Sequence, residues 1–218
     1  MTGLPTDVSV RRSYHHGDLR MALVDAGMKL AREGGPQAIV LREATRRAGV
    51  APNAAYRHFA NREALFEAVR MQVLATMAQT IEDLLALARQ MAEPAPRAKA
   101  MLAAVGRGYL EFAQTETGWF RTAFAANELE RDALADQKQQ LQADKPPADP
   151  FELLCEALDA MVEAGVLPAA HRPQAEYLAW STVHGMATLM IDGPLRHSTP
   201  EQRAALVERL LLMVEKGL

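Results

Sequence analysis

Residues 41–59, LREATRRAGVAPNAAYRHF, hold Arg42, Arg46 and Arg47, then Gly49, then Tyr56, Arg57 and His58 in a row. A guanidinium fork pairs with the O6 and N7 edge of guanine, while hydroxyl, imidazole and guanidinium groups grip phosphate oxygens. The chemistry on offer is recognition of a polyanion. A second set lies far along the chain, in AEYLAWSTVHGMATLMIDG, where Trp180, His184, Ala187 and Ile191 share one helical face and Gly185 adjoins the imidazole. An indole N–H and an imidazole among apolar residues can serve as two polar handles in a ligand pocket. Equally, His184 can be a core residue hydrogen-bonded to a backbone carbonyl.

The elements that carry the first set are read from apolar spacing. In DLRMALVDAGMKLAREGGP, Leu19, Leu23, Ala26 and Leu30 recur at three- and four-residue steps before Gly34, Gly35 and Pro36 stop the run. Leu41, Ala44, Thr45 and Ala48 share a face over two turns, and Gly49 ends them. Pro52 suits the first position of a third helix, expected to end near Ala60, whose Ala55 and Phe59 face inward. Two short helices joined by a tight glycine turn and braced by a third make a helix-turn-helix. The exposed first half of the last helix enters the DNA major groove. Asn53 and Arg57, four residues apart and turned away from Ala55 and Phe59, are the base-reading candidates, with Ala54 beside Asn53 and Arg42 approaching the same groove. Tyr56, His58 and Arg62, around the helix end, are the phosphate candidates.

Charge supports this reading once it is divided along the chain. The 218 residues carry a net charge of -3, which by itself argues against a nucleic-acid partner. Residues 1–62, however, hold ten basic and five acidic residues, while the rest hold 14 and 22. A basic head on an acidic body implies two jobs, one of them with a polyanion. Arg11 and Arg12 are either a minor-groove arm or solvated terminal charge. His15 and His16 lack the spaced partners of a metal set and read as capping or phosphate-touching groups.

The stretch SYHHGDLRMALVDAGMKLAREGGPQAIVLREATRRAGVAPNAAYRHFANREALF, residues 13–66, resembles the N-terminal domain of TetR-family transcriptional regulators, above all in its YRHFANREALF ending. The resemblance implies an all-α homodimer with a DNA-binding head and a C-terminal ligand-sensing body, and phosphate contacts at Tyr56, His58 and Arg62. Members of that family often have Ser or Thr where Val40 and Ala51 stand. Loss of those hydroxyls is expected to weaken DNA binding, set against a helix-cap value of about 1 kcal/mol. The W-x-x-x-H-G pattern of Trp180, His184 and Gly185 resembles the C-terminal domain type named for those residues in one subgroup.

The expected architecture is therefore all-α with about nine helices: a flexible basic arm over 1–12, a helix-turn-helix domain over 13–62, and a ligand-binding and dimerisation domain over 63–218. Asn61 should cap a long fourth helix reaching about Met91, with Leu65, Val69, Val73, Met77, Ile81 and Leu84 on its inner face. A break at 92–97 precedes helices over about 98–115, 119–127, 151–164, 173–192 and 200–216, with a polar, partly helical stretch at 128–150. Tyr109, Phe112, Trp119, Phe120 and Phe124 join Trp180 and His184 as candidate pocket residues, although an aromatic stripe also describes plain core. Leu178, Leu189, Leu206, Leu210 and Met213 supply apolar surface for a four-helix dimer bundle.

No apolar run is long enough to span a bilayer, the first residues lack the apolar centre of a signal peptide, and a cytoplasmic protein is expected. A lone Cys155 cannot form an internal disulfide and reads as an isolated buried thiol. No cofactor is expected. The leading reading is a repressor that binds a palindromic operator and is released by a small molecule. The alternatives are a helical enzyme using His184 with Glu176 or Asp192, and an architectural DNA binder whose body is inert.

Overall fold

The computed structural model describes residues 16–125 and 149–218. The basic arm with Arg11 and Arg12, His15, the side chain of His16 and nearly all of the polar stretch 128–150 lie outside the described residues.

The first helix, α1, spans His16–Gly34 and turns Leu23, Ala26 and Leu30 inward. α2 spans Leu41–Ala48 and buries Leu41, Ala44 and Thr45. It stops at Gly49, whose φ of 68° is left-handed and whose N–H returns to the Arg46 carbonyl at 3.3 Å. A side chain there would cost roughly 1 kcal/mol or more, so glycine sets the elbow. α3 begins at Pro52 as expected but is regular only through Ala55, not to Ala60. Beyond Ala55 the chain continues as tight turns, with the Arg57 N–H on the Ala54 carbonyl at 3.3 Å and the His58 N–H on the Ala55 carbonyl at 2.9 Å. No side chain caps α2 at Val40 or α3 at Ala51. Phe59 is nonetheless buried, with the Arg20 guanidinium 5.3 Å above its ring.

α4, Arg62–Ala88, joins head to body and is about 40 Å long. The Asn61 side chain accepts the Ala64 N–H at 2.8 Å, as its N-cap position requires. Leu65, Val69, Val73, Met77, Ile81 and Leu85 have no exposed surface. α4 stops a turn short of Met91, and α5, Pro94–Thr115, starts four residues before the expected 98 because Pro94 occupies its first turn. α6, Thr117–Ala123, follows almost without a break. After it come α7, Pro150–Glu163, α8, Ala175–Ile191, and α9, Pro200–Gly217. α9 opens on a capping box between Thr199 and Gln202. α5 is the central rod, packed against α4, α7, α8 and α9. The architecture is all-α, and among the described residues no strand is present and no helix is long and apolar enough to cross a membrane.

Two apolar expectations change. Leu210 is buried with Val207, Leu211 and Val214 on the inner face of α9, because it keeps their three- and four-residue spacing, and Leu206 is half-buried. Leu178, Leu189 and Met213 are exposed on α8 and α9 as expected, with Tyr177 and Leu212 exposed beside them. Among the described residues, nothing lies within 4 Å of where a β-carbon on Gly185 would stand.

α6 is docked on the C-terminal half of α1. A β-carbon on Gly118 would stand 2.4 Å from the carbonyl oxygens of both Ala31 and Arg32. Beside it, the Trp119 indole donates to the Met28 carbonyl at 2.8 Å. The Arg32 guanidinium binds both Glu116 carboxylate oxygens at 2.7 Å and lies 5.2 Å above the Trp119 ring. Since Arg32 is exposed, the ion pair itself contributes about 1 kcal/mol or less. The backbone contact is the stricter constraint. Gly118→Ala should therefore force α6 off α1 and destabilise the protein by about 1–3 kcal/mol, read as a lowered Tm in a thermal melt. An unchanged Tm would show that the two helices are not in contact.

Candidate functional site

Of the DNA candidates, Arg42, Asn53, Tyr56 and Arg57 are exposed, while Ala54, His58 and Arg62 are half-buried. Tyr56 is 60% exposed, which is large for an aromatic ring with no core function. The arginines divide into two groups. Arg46 binds both oxygens of Glu43 at 2.8 and 2.7 Å, and Arg47 binds both oxygens of Glu33 at 2.9 and 2.7 Å while also reaching Glu43 at 3.1 Å. Hydrogen bonds from Arg46 and then Arg47 hold the Glu43 carboxyl down to about 2. These two cations tie α2 to itself and to α1. The spacing of Glu43 to Arg46 and Arg47, three and four residues, was a sequence signal for that role.

Arg62 is partly committed to the protein. Its Nε donates to the Ile39 carbonyl and one terminal nitrogen to the Pro36 carbonyl, both at 2.8 Å. The other terminal nitrogen lies 4.0 Å from Glu63. Arg62 thus fixes the loop between α1 and α2, a contact no sequence pattern announced.

The pocket candidates separate into three groups around a cavity of about 650 Å³. Tyr109, Phe124 and Trp180 line it. Phe120 and His184 pack behind them, the Phe120 and His184 rings stacked at 5.7 Å and Phe120 edge-on to Tyr109 at 5.5 Å. Phe112 and Trp119 do not reach the cavity: they stack on each other at 6.3 Å, with Trp119 on the α1–α6 contact. The sequence reading missed Phe151 and Tyr177, both of which line the cavity. Tyr177 could have been found, since it precedes Trp180 by three residues on one helix.

The lining residues Trp180 and Tyr109 and the His184 behind them form a three-residue relay. The Trp180 Nε1–H donates to the Tyr109 hydroxyl at 3.2 Å, and that hydroxyl meets His184 Nδ1 at 2.7 Å. Burial holds the Tyr109 phenol well above its ordinary range, so it stays protonated, and burial pushes His184 below 6.5. His184 therefore bonds a side chain, not a backbone carbonyl. Glu176 is bound to Arg172 at 2.7 Å and Asp192 is paired with Arg121, so neither carboxylate named in the enzyme alternative serves the imidazole. Cys155, half-buried on α7, has its thiol pushed up by burial. Among the described residues no group of three or more His, Cys, Asp or Glu side chains is arranged to hold a metal ion.

A helix-turn-helix head docked on a helical body that contains a cavity is the architecture of a DNA-binding regulator. The description "Bacterial regulatory proteins, tetR family" matches residues 23–69, and "Tetracyclin repressor-like, C-terminal domain" matches residues 102–214. The chain belongs to the tetR family of regulators and is a DNA-binding transcription regulator, not an enzyme. No curated protein matches it significantly. A protein of unknown function from Rhodococcus sp. RHA1 is 23% identical, with a TM-score of 0.72 over 95% of this chain and 99% of that one. FadR of Bacillus subtilis in complex with stearoyl-CoA is 16% identical, with a TM-score of 0.56 over 91% and 98%. A putative tetR family regulator from Shewanella sp. PV-4 is also 16% identical, with a TM-score of 0.60 over 91% and 97%. At these identities the likeness is one of fold.

The relay carries its own prediction. Because burial disfavours the charged imidazole, an NMR titration of His184 should give a midpoint below the 6.5 of an ordinary histidine. The neutral form then prevails at pH 7. A midpoint at or above 6.5 would contradict the buried relay.

Proposed function

We propose that the protein is a cytoplasmic homodimeric repressor that binds a palindromic operator and is released when a small molecule fills the cavity. The observation that carries this reading is the position of α6. Its last turn and the residues after it, Ala123, Phe124 and Ala125, form cavity wall, while Gly118 and Trp119 at its start press on α1 of the head. A ligand that moves the wall acts on the head through an element only about 10 Å long. The exposed face of Leu178, Leu189 and Met213 on α8 and α9 is the surface we assign to the second subunit. The spacing of Trp180, His184 and Gly185 supports placing the body in the W-x-x-x-H-G subgroup.

On the DNA, Arg42, Asn53 and Arg57 reach base edges, with Ala54 alongside, while Tyr56, His58 and the remaining terminal nitrogen of Arg62 contact phosphate. The domain boundaries we use are 13–62 for the head and 63–218 for the body. An architectural role with an inert body leaves the cavity and its relay without a use.

Selection of bound sequences from random DNA tests the reading. It should return an inverted repeat with half-sites about 10 base pairs, or a multiple, apart. Arg57→Ala should lose preference at particular positions, with discrimination falling by about 1–3 kcal/mol. No enrichment over random sequence would overturn the operator-binding function, and an unchanged preference would remove Arg57 from base reading.

A further inference from the structure

We infer that the cavity ligand is an uncharged aromatic compound bearing a hydroxyl group, a naphthol-like or benzylic-alcohol-like molecule. This deepens the ligand-sensing reading and rests on it. Three features of the cavity converge on that class.

The first is its aromatic wall. Tyr109, Phe124, Trp180, Phe151 and Tyr177 follow one another with ring centroids 5.8, 6.2, 5.9 and 5.7 Å apart. Such a continuous run offers edges and faces to a flat ring at several positions. The rest of the lining contributes aliphatic carbon, as at Leu102, Val105 and Leu211.

The second is charge. Among the described residues, three cations line the cavity, Arg70, Lys99 and Arg107, and three carboxylates, Asp149, Glu208 and Glu215. Lys99 is paired with Glu215 at 2.7 Å, Arg107 with Glu208, and Arg70 with Glu67 at 2.8 Å. Asp149 accepts the Phe151 N–H at 2.9 Å. An anionic ligand would have to compete with a carboxylate for each of these cations. The phosphates of a coenzyme A thioester would demand this several times over. A neutral ligand disturbs none of the pairs.

The third is the relay. With the indole N–H already donated to it, the Tyr109 hydroxyl either gives its proton to His184 and keeps one accepting lone pair, or accepts from His184 Nδ1–H and keeps its proton to give. A ligand hydroxyl is both donor and acceptor and satisfies either tautomer. A carbonyl or carboxylate satisfies only the second.

Isothermal titration of the full-length protein, without DNA, with 2-naphthol, 2-naphthoate, naphthalene and stearoyl-CoA at pH 7 tests the inference. 2-Naphthol should bind at least about tenfold tighter than each of the other three. Tyr109→Phe, checked for folding by circular dichroism, should reduce 2-naphthol to the affinity of naphthalene. The ligand series on the unsubstituted protein decides the matter even where that variant fails to fold. Equal or tighter binding of 2-naphthoate or stearoyl-CoA, or no binding of 2-naphthol, overturns the inference. Operator binding is measured separately, so the ligand class can fail while the regulator reading stands.

Discussion

The contact of α6 with α1 is the constraint on which the rest of the molecule depends. Gly118 lies against two backbone carbonyls and Trp119 donates to a third, so the start of α6 has little room to slide over the head. The helix is only seven residues long, and its other end is cavity wall. Two packed interfaces at the ends of one short rigid element cannot relax independently, because close-packed interiors transmit displacement. α4 provides a second connection. Its first turn carries Arg62, which holds the loop between α1 and α2, and two turns further on Arg70 lines the cavity. Head and body thus share two short mechanical links.

Charge is used differently at the two ends. In the head, Arg46 and Arg47 are paired with Glu43 and Glu33, while Arg42 and Arg57 stand on exposed positions of α2 and the turn after α3, which is why they are the ones we propose for recognition. The pairs fix the angle between α1 and α2 at modest energy, since exposed ion pairs contribute little. In the body, Lys99 with Glu215 and Arg107 with Glu208 bridge α5 and α9 at the cavity, so that cations and carboxylates are paired across it among the described residues. Net charge over the head therefore overstates the number of cations available to DNA.

Much of this was legible in the sequence wherever a local signal decides the outcome. Pro52 and Asn61 mark the starts of α3 and α4, Gly49 marks the end of α2, and the amphipathic spacing of Leu65 through Ile81 marks the inner face of α4. Tertiary neighbours were not legible. Trp119 and Phe124 lie on one short aromatic stretch, yet one turns to α1 and the other to the cavity, and helical spacing is the same for both fates. Arg62 showed its charge but not the two carbonyls it binds, and Leu210 differs from Met213 only in which side of α9 it occupies. The early end of α3 at Ala55 had no local signal either, since Pro52 marks only where the helix starts.

The central claim is that head and cavity are coupled through α6, and coupling is reciprocal: if the cavity moves the head, DNA on the head must be felt at the cavity. Hydrogen exchange of the protein with and without bound operator reads this directly. Operator binding should change the protection of amides across Thr117–Ala123 and at Phe124, which lie outside the helix-turn-helix itself. Protection changes confined to α1, α2 and α3, with α6 unaltered, would contradict the account.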